Sequence, residues 1–186
     1  MISMFRKIQP PLSWLSVLAF FLIAAGPVNA QKSGSETVGD VLQIAIPAAA
    51  YGIAHFSKDR DGEIQFLKSF ATNLVITYGL QFATNKQSPD KSSDYSFPSS
   101  HASMTAQGAA FIQRRYGWQY AIPAYVGVIY TGYSRINANK HDVGDVLAGE
   151  AIGFLSSYLF TTPYMGITFM PSASNGSYSL NIFKEW

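Results

Sequence analysis

A chain of 186 residues with 13 Lys and Arg against 11 Asp and Glu carries a formal net charge of +2, and it contains no cysteine. That excludes disulfides and thiol chemistry, and it leaves no broad basic surface for nucleic acid. Charged residues make up only 13% of the chain and apolar ones 48%, a balance that fits a deeply buried helical domain or one that touches a membrane.

The first predicted element is a targeting segment. Arg6 and Lys7 form a short basic start and Leu12 to Ile23 an apolar stretch of signal-peptide length. Gly26-Pro27 breaks that helix, and Val28-Asn29-Ala30 offers the small residues a signal peptidase reads. Residues 1–30 are therefore expected to be a signal peptide cut after Ala30, directing the protein to the periplasm or the cell-envelope membrane. The segment holds two of the thirteen cations and no acid, so the remainder is formally neutral, 11 against 11. An anionic ligand must then be held by a few aimed groups.

Residues 31–165 read as one helical domain. Five apolar stretches, roughly 38–56, 64–83, 101–116, 119–133 and 143–162, are separated by turn chemistry. The breaks are Lys58 to Gly62, a Ser/Asp/Pro loop over 84–98, Gly117, and a loop over 134–141. In the second stretch, apolar residues at 66, 67, 70, 74, 78 and 82 recur at helical spacing and predict a face packed on a core. Lys68, Asn73, Gln81 and Glu150 interrupt the runs, which favours packed amphipathic helices over membrane spans. Residues 166–186 form a C-terminal tail in which alternating segments flank Asn175-Gly176, the pattern of a β-hairpin.

Two of the three histidines stand where a loop meets a helix. His101 follows Phe97-Pro98-Ser99-Ser100 after a polar loop, and His141 opens the last helix behind Arg135 on the preceding loop. Asp145 lies four residues past His141, one helical turn on, so its carboxylate can reach the ring. A carboxylate accepting from one ring nitrogen fixes the tautomer and frees the other as a nucleophile. Asp142 reads as a helix-start residue. His55 stands alone in Ala50-Tyr51-Gly52-Ile53-Ala54-His55-Phe56 and reads as a core or interface residue.

With these residues in place, PSSH over Pro98–His101 and Ser134-Arg135-x5-His141-x3-Asp145 resemble the second and third motifs of the phosphatidic acid phosphatase type 2 superfamily. That superfamily includes bacterial acid phosphatases and vanadium haloperoxidases. The resemblance runs from about residue 38 to 160 and implies an all-α helical bundle. It also implies a phosphatase acting on a phosphomonoester or pyrophosphate, with a lipid or isoprenoid phosphate as the expected substrate and membrane association as a corollary. In that family's terms His141 attacks phosphorus to form a phosphohistidine, Asp145 orients it, and His101 protonates the leaving oxygen. Arg135 holds phosphate oxygens, with Ser99 and Ser100 adding donors. The resemblance implies no metal and no cofactor. A helix start suits an anion because its N–H groups are unpaired.

The family's first motif, a lysine, six residues, then Arg-Pro, is altered: aligning its proline on Pro89 puts Gln81 and Ser88 where the two cations belong. Lys86 is the nearest substitute for phosphate binding, with Lys91 and Lys140 next. A relative that binds a phosphate-bearing lipid or a partner without turnover is the competing expectation.

Overall fold

The computed structural model describes residues 34–164, 167–174 and 177–184; the expected signal peptide and the Asn175-Gly176 turn lie outside them. Five helices follow in order: α1 Gly34–Phe56, α2 Arg60–Thr84, α3 Ser100–Tyr116, α4 Trp118–Asn137 and α5 Val143–Phe160. The all-α bundle expected from the sequence is the fold observed. In the tail, β1 Ile167–Ser174 pairs antiparallel with β2 Ser177–Lys184, with Ser174 opposite Ser177.

Local chemistry sets the ends of the helices. Asp59 caps α2 by accepting from the Gly62 N–H at 3.0 Å, and Asp61 and Glu63 place negative charge on the dipole's positive end. Asn85 closes α2 in the left-handed conformation, φ 46°. Ser99 caps α3, its Oγ accepting from Ala102 N. Gly117 ends that helix at φ 99°, a conformation that costs a side-chain-bearing residue energy. Arg135, expected on a loop, sits in the last turn of α4, which runs on to Asn137.

Helix α3 is the central element. Its Ala102, Ala106, Ala109, Ala110 and Phe111 are buried, and Phe111 meets Phe66 of α2 edge to face at 5.2 Å. Small side chains let neighbouring helices approach closely. Gly149 and Gly153 of α5 lie directly against the α3 backbone, where a Cβ would land on the carbonyl oxygens of Ser99 and Ser103.

The inward face of α2 is the opposite of the expected one. Ser69, Asn73, Thr77 and Gln81 point into the bundle, whereas Leu67, Tyr78 and Phe82 are exposed, Phe82 by 72%. Of the residues predicted to form a core face, only Phe66 is fully buried. The polar row bonds across the helix interface, although Asn73 Oδ1 and Gln107 Oε1 are left without a partner. Gln107 Nε2 donates to Ser69 Oγ at 2.8 Å, and Thr77 Oγ1 and Asn73 Nδ2 both reach Ser103 Oγ, at 3.0 and 3.3 Å. A helix with hydrogen-bonding groups inside and Leu, Val and Phe outside is arranged for an apolar surrounding, where interhelical hydrogen bonds and small residues hold helices together.

The end of the bundle away from the two histidine-bearing loops is fastened separately. Asp59 accepts from Arg115 Nε and Nη2 at 2.7 and 2.5 Å and from Tyr116 OH at 2.8 Å. Arg115 Nη1 also donates to Thr162 O at 2.8 Å, tying α2, α3 and the segment after α5 together. His55 lies at this end, 61% exposed and paired with Glu63 Oε1 at 2.8 Å. It is a surface residue, not a core one, because the turn after α1 lifts it out of the packed interior.

Candidate active site

At the other end, the chain passes five times through one small volume: the start of α1, the loop after α2, the start of α3, the end of α4 and the loop into α5. A cleft of about 250 Å³ opens there, lined by Gln81, Ser88, Ser92, Ser93, Tyr95, Ser96, Ser100, His101, Arg135, Lys140 and His141. His101 and His141 thus share one cavity, and Arg135 lines the same cleft.

His141 is positioned by the facing loop. Its Nδ1 lies 2.8 Å from the Ser96 carbonyl oxygen. A carbonyl can only accept, so Nδ1 carries the proton and the lone pair sits on Nε2. Asp145, expected to make this contact, stands 3.8 Å from Nδ1, beyond hydrogen-bond length. Its fully buried carboxylate is instead held by Lys86 Nζ at 2.7 Å, Ser96 Oγ at 2.6 Å and the Asp142 N–H at 3.2 Å. Burial pushes the His141 imidazole below the ordinary histidine value of 6.5; the Ser96 carbonyl and Asp145 pull it up, and Arg135 and Lys86 add to the fall.

His101 lies in the first turn of α3, and its Nε2 is 2.9 Å from Asp40 Oδ1. The same carboxylate oxygen is 3.0 Å from Arg135 Nη1, and Arg135 Nη2 donates to the Glu36 carbonyl at 2.9 Å. Helix α1 comes this close because Gly39 lies against the Ser134 and Arg135 side chains. Asp40 was missed in the sequence; its one signal is an acid inside an otherwise apolar helix.

The remaining expected site residues divide. Ser100 lines the cleft, but the Ser99 hydroxyl is buried and turned to the helix start as its cap. Lys86 is not on the cleft wall: it bridges Asp145 and, at 2.9 Å, Asp142. Both carboxylates hold its pKa above the ordinary lysine value. Lys140 does line the cleft, paired with Asp90 Oδ2 at 2.7 Å and Ser92 Oγ at 3.1 Å. Lys91 is exposed on the loop at φ 60° and does not line the cleft. At the altered first-motif positions, Gln81 Nε2 donates to the Pro98 carbonyl at 2.9 Å, so it fixes the turn into α3, and the Ser88 hydroxyl is tied to Asp90 at 2.8 Å. Among the described residues no group of three or more His, Cys, Asp and Glu is placed to hold a metal ion.

Comparison with known proteins gives the family. The PAP2 superfamily pattern covers residues 65–166. The lipid A 4'-phosphatase of Helicobacter pylori is 28% identical over 163 residues, 81% of this chain and 82% of that protein. A lipid A 1-phosphatase of Helicobacter pylori is 27% identical over 66% of this chain and 65% of its own length. A lipid A 1-phosphatase of Porphyromonas gingivalis reaches 33% identity over 49% of this chain but 22% of its own. In fold, the chain resembles the crystal structure of a transmembrane PAP2-type phosphatidylglycerolphosphate phosphatase from Bacillus subtilis, with a TM-score of 0.50 and 24% identity over 81% of this chain and 94% of that one. With two histidines and an arginine in one cleft, and with the family pattern spanning more than half of the sequence, the chain belongs to the PAP2 superfamily and is a phosphatase.

Proposed function

We propose that this phosphatase is embedded in a membrane and hydrolyses a lipid phosphate, with a phosphorylated glycolipid of the lipid A type as the substrate class, through a phosphohistidine on His141. The single observation that carries the reading is the shared cleft, with the His141 Nε2 lone pair freed by the Ser96 carbonyl and His101 and Arg135 beside it. His141 Nε2 attacks phosphorus while the bond to the leaving oxygen breaks, and that oxygen takes a proton from His101 in its imidazolium form, which is left as neutral imidazole. Water then attacks the phosphohistidine, losing its proton to His101 and releasing phosphate. Arg135 balances charge on the transferring group, which is where phosphoryl transfer needs stabilisation.

The lipid side rests on the bundle's surface and on the relatives. Helices α1 and α5 are long and apolar enough to cross a membrane, with mean hydropathies of 1.3 and 1.2. Val75, Phe82, Ile129 and Leu159 face outward, each more than 70% exposed. The hydroxyls of Ser93 and Tyr95 along the cleft suit a headgroup rich in hydrogen-bonding oxygens.

The test uses full-length protein in detergent, with lipid A and p-nitrophenyl phosphate as substrates and EDTA present, since an imidazole nucleophile and acid call for no metal-bound water. Phosphate release from lipid A is expected, with acid-labile phosphate trapped on the wild-type chain. Both disappear in His141→Ala. Retained lipid binding with no turnover in the wild type supports the non-catalytic alternative instead. A protonated His141 cannot attack, and burial lowers its pKa. The acid limb of the kcat/KM profile is therefore expected below pH 6.5. An acid limb at or above pH 7 contradicts the nucleophile assignment.

A further inference from the structure

We propose that Lys86 and Ser96 are positioning residues for the nucleophile, acting through Asp145, and that Lys86 does not bind phosphate. This rests on His141 being the nucleophile, as read above. The contacts form one chain. Lys86 Nζ places its charge 2.7 Å from Asp145 Oδ1. The other oxygen, Oδ2, takes the Ser96 hydroxyl at 2.6 Å. The carbonyl of the same serine holds the His141 Nδ1–H at 2.8 Å. Ser96 N also donates to the Lys86 carbonyl at 2.8 Å, so the two ends of the loop segment are stitched to each other as well as to α5.

The physical reason for the lysine is the carboxylate. Asp145 has no exposed surface, and a buried charge without a counter-charge is costly. Without Lys86, the remaining donors are one hydroxyl and one backbone N–H. Asp145 then satisfies itself by taking a proton or by drawing the His141 Nδ1–H across the present 3.8 Å gap. Protonation breaks up the Ser96 hydroxyl bond that anchors the loop, and capture of the Nδ1–H releases the Ser96 carbonyl and turns the ring; a displacement of about 1 Å at a reacting atom costs on the order of a hundredfold in rate. The phosphate-binding cation of the first motif has thus no equivalent at Lys86: a positive charge close to that position in the sequence serves the nucleophile's support.

Binding and positioning predict different kinetics. With p-nitrophenyl phosphate as substrate and inorganic phosphate as competitive inhibitor, Lys86→Met is expected to lower kcat by about 10- to 100-fold. KM and the phosphate inhibition constant should stay within about twofold. Lys86→Arg, which keeps the charge, should recover part of kcat. Ser96→Ala should lower kcat in the same way, and the double variant Lys86→Met/Ser96→Ala should lose less than the product of the two single losses, because both act on Asp145. An increase of tenfold or more in KM and in the phosphate constant for Lys86→Met, with kcat kept, overturns the proposal in favour of phosphate binding. Where Lys86→Met does not fold, Ser96→Ala decides: an unchanged kcat overturns the proposal. Activity surviving in His141→Ala sinks the phosphohistidine reading itself, an outcome distinct from either of these.

Discussion

Arg135→Ala is expected to lower kcat/KM by about a thousandfold or more. The side chain is 3% exposed and its guanidinium is held rigidly by the Glu36 carbonyl and Asp40. One cation about 4 Å from a phosphate charge is worth about 4 kcal/mol at an effective dielectric of 20, which at 1.36 kcal/mol per decade is about a thousandfold. The substitution also leaves Asp40 facing His101 without its counter-charge, so a carboxylate then repels the substrate anion. Arg135→Lys keeps the charge but not the fork, and it should recover only part of the loss. Measuring kcat/KM together with inhibition by inorganic phosphate checks this. A loss below tenfold in Arg135→Ala would mean that another cation, with Lys140 the one on the cleft wall, carries the phosphate.

The second large effect is expected at a glycine between two helices. In Gly149→Ala the new methyl group lands on the Ser99 carbonyl oxygen and lies 3.3 Å from Ala102 Cβ and Ser103 N. Overpacking costs about 1–3 kcal/mol, and the upper end applies because the obstacle is backbone, which cannot rotate away. The only relief is separation of α5 from the start of α3. The Ser99 N–H, however, is bonded to the Asp145 carbonyl at 2.9 Å, so that separation moves His101 relative to His141. A lower melting temperature in detergent and a large loss of kcat should therefore appear together. Gly79→Ala, at a site with nothing within 4 Å, is the control. It should hold or raise stability by up to about 1 kcal/mol, the helix-propensity gain of alanine. Equal behaviour of the two variants would remove the close-packing account.

These expectations show which parts of the molecule can be read in one dimension. The five helices were legible because apolar runs end at strong local signals: the Lys58 to Gly62 turn, the Ser/Asp/Pro loop over 84–98, and Gly117. The cleft residues His101, Arg135 and His141 were legible because their spacing is a property of the motifs that carry them. The orientation of α2 was not. Apolar residues at 67, 78 and 82 predict an inward face only when the surrounding is water. Ser69, Asn73 and Thr77 find their partners on α3, more than twenty residues on, and Gln81 finds its partner at Pro98, just before that helix. The partners of His141 were misjudged for a related reason. Helical spacing brings Asp145 near the ring, but the Ser96 carbonyl, 45 residues earlier in the chain, takes the proton first. Lys86 and Asp40 likewise act through pairings that span 59 and 61 residues, and no local pattern encodes those.

The polar lining of α2 carries one more consequence. The chemistry of the cleft resides in hydroxyls, amides and imidazoles on inner surfaces, whereas Val75, Ile129 and Leu159 face outward and away from it. The two sets of positions are therefore free to vary separately. Rewriting Val75, Ile129 and Leu159 as lysine or glutamate alters how the bundle is solvated, which opens a route to a detergent-free edition of the catalyst, whereas Phe82 stays because it packs on the cleft residue Tyr95.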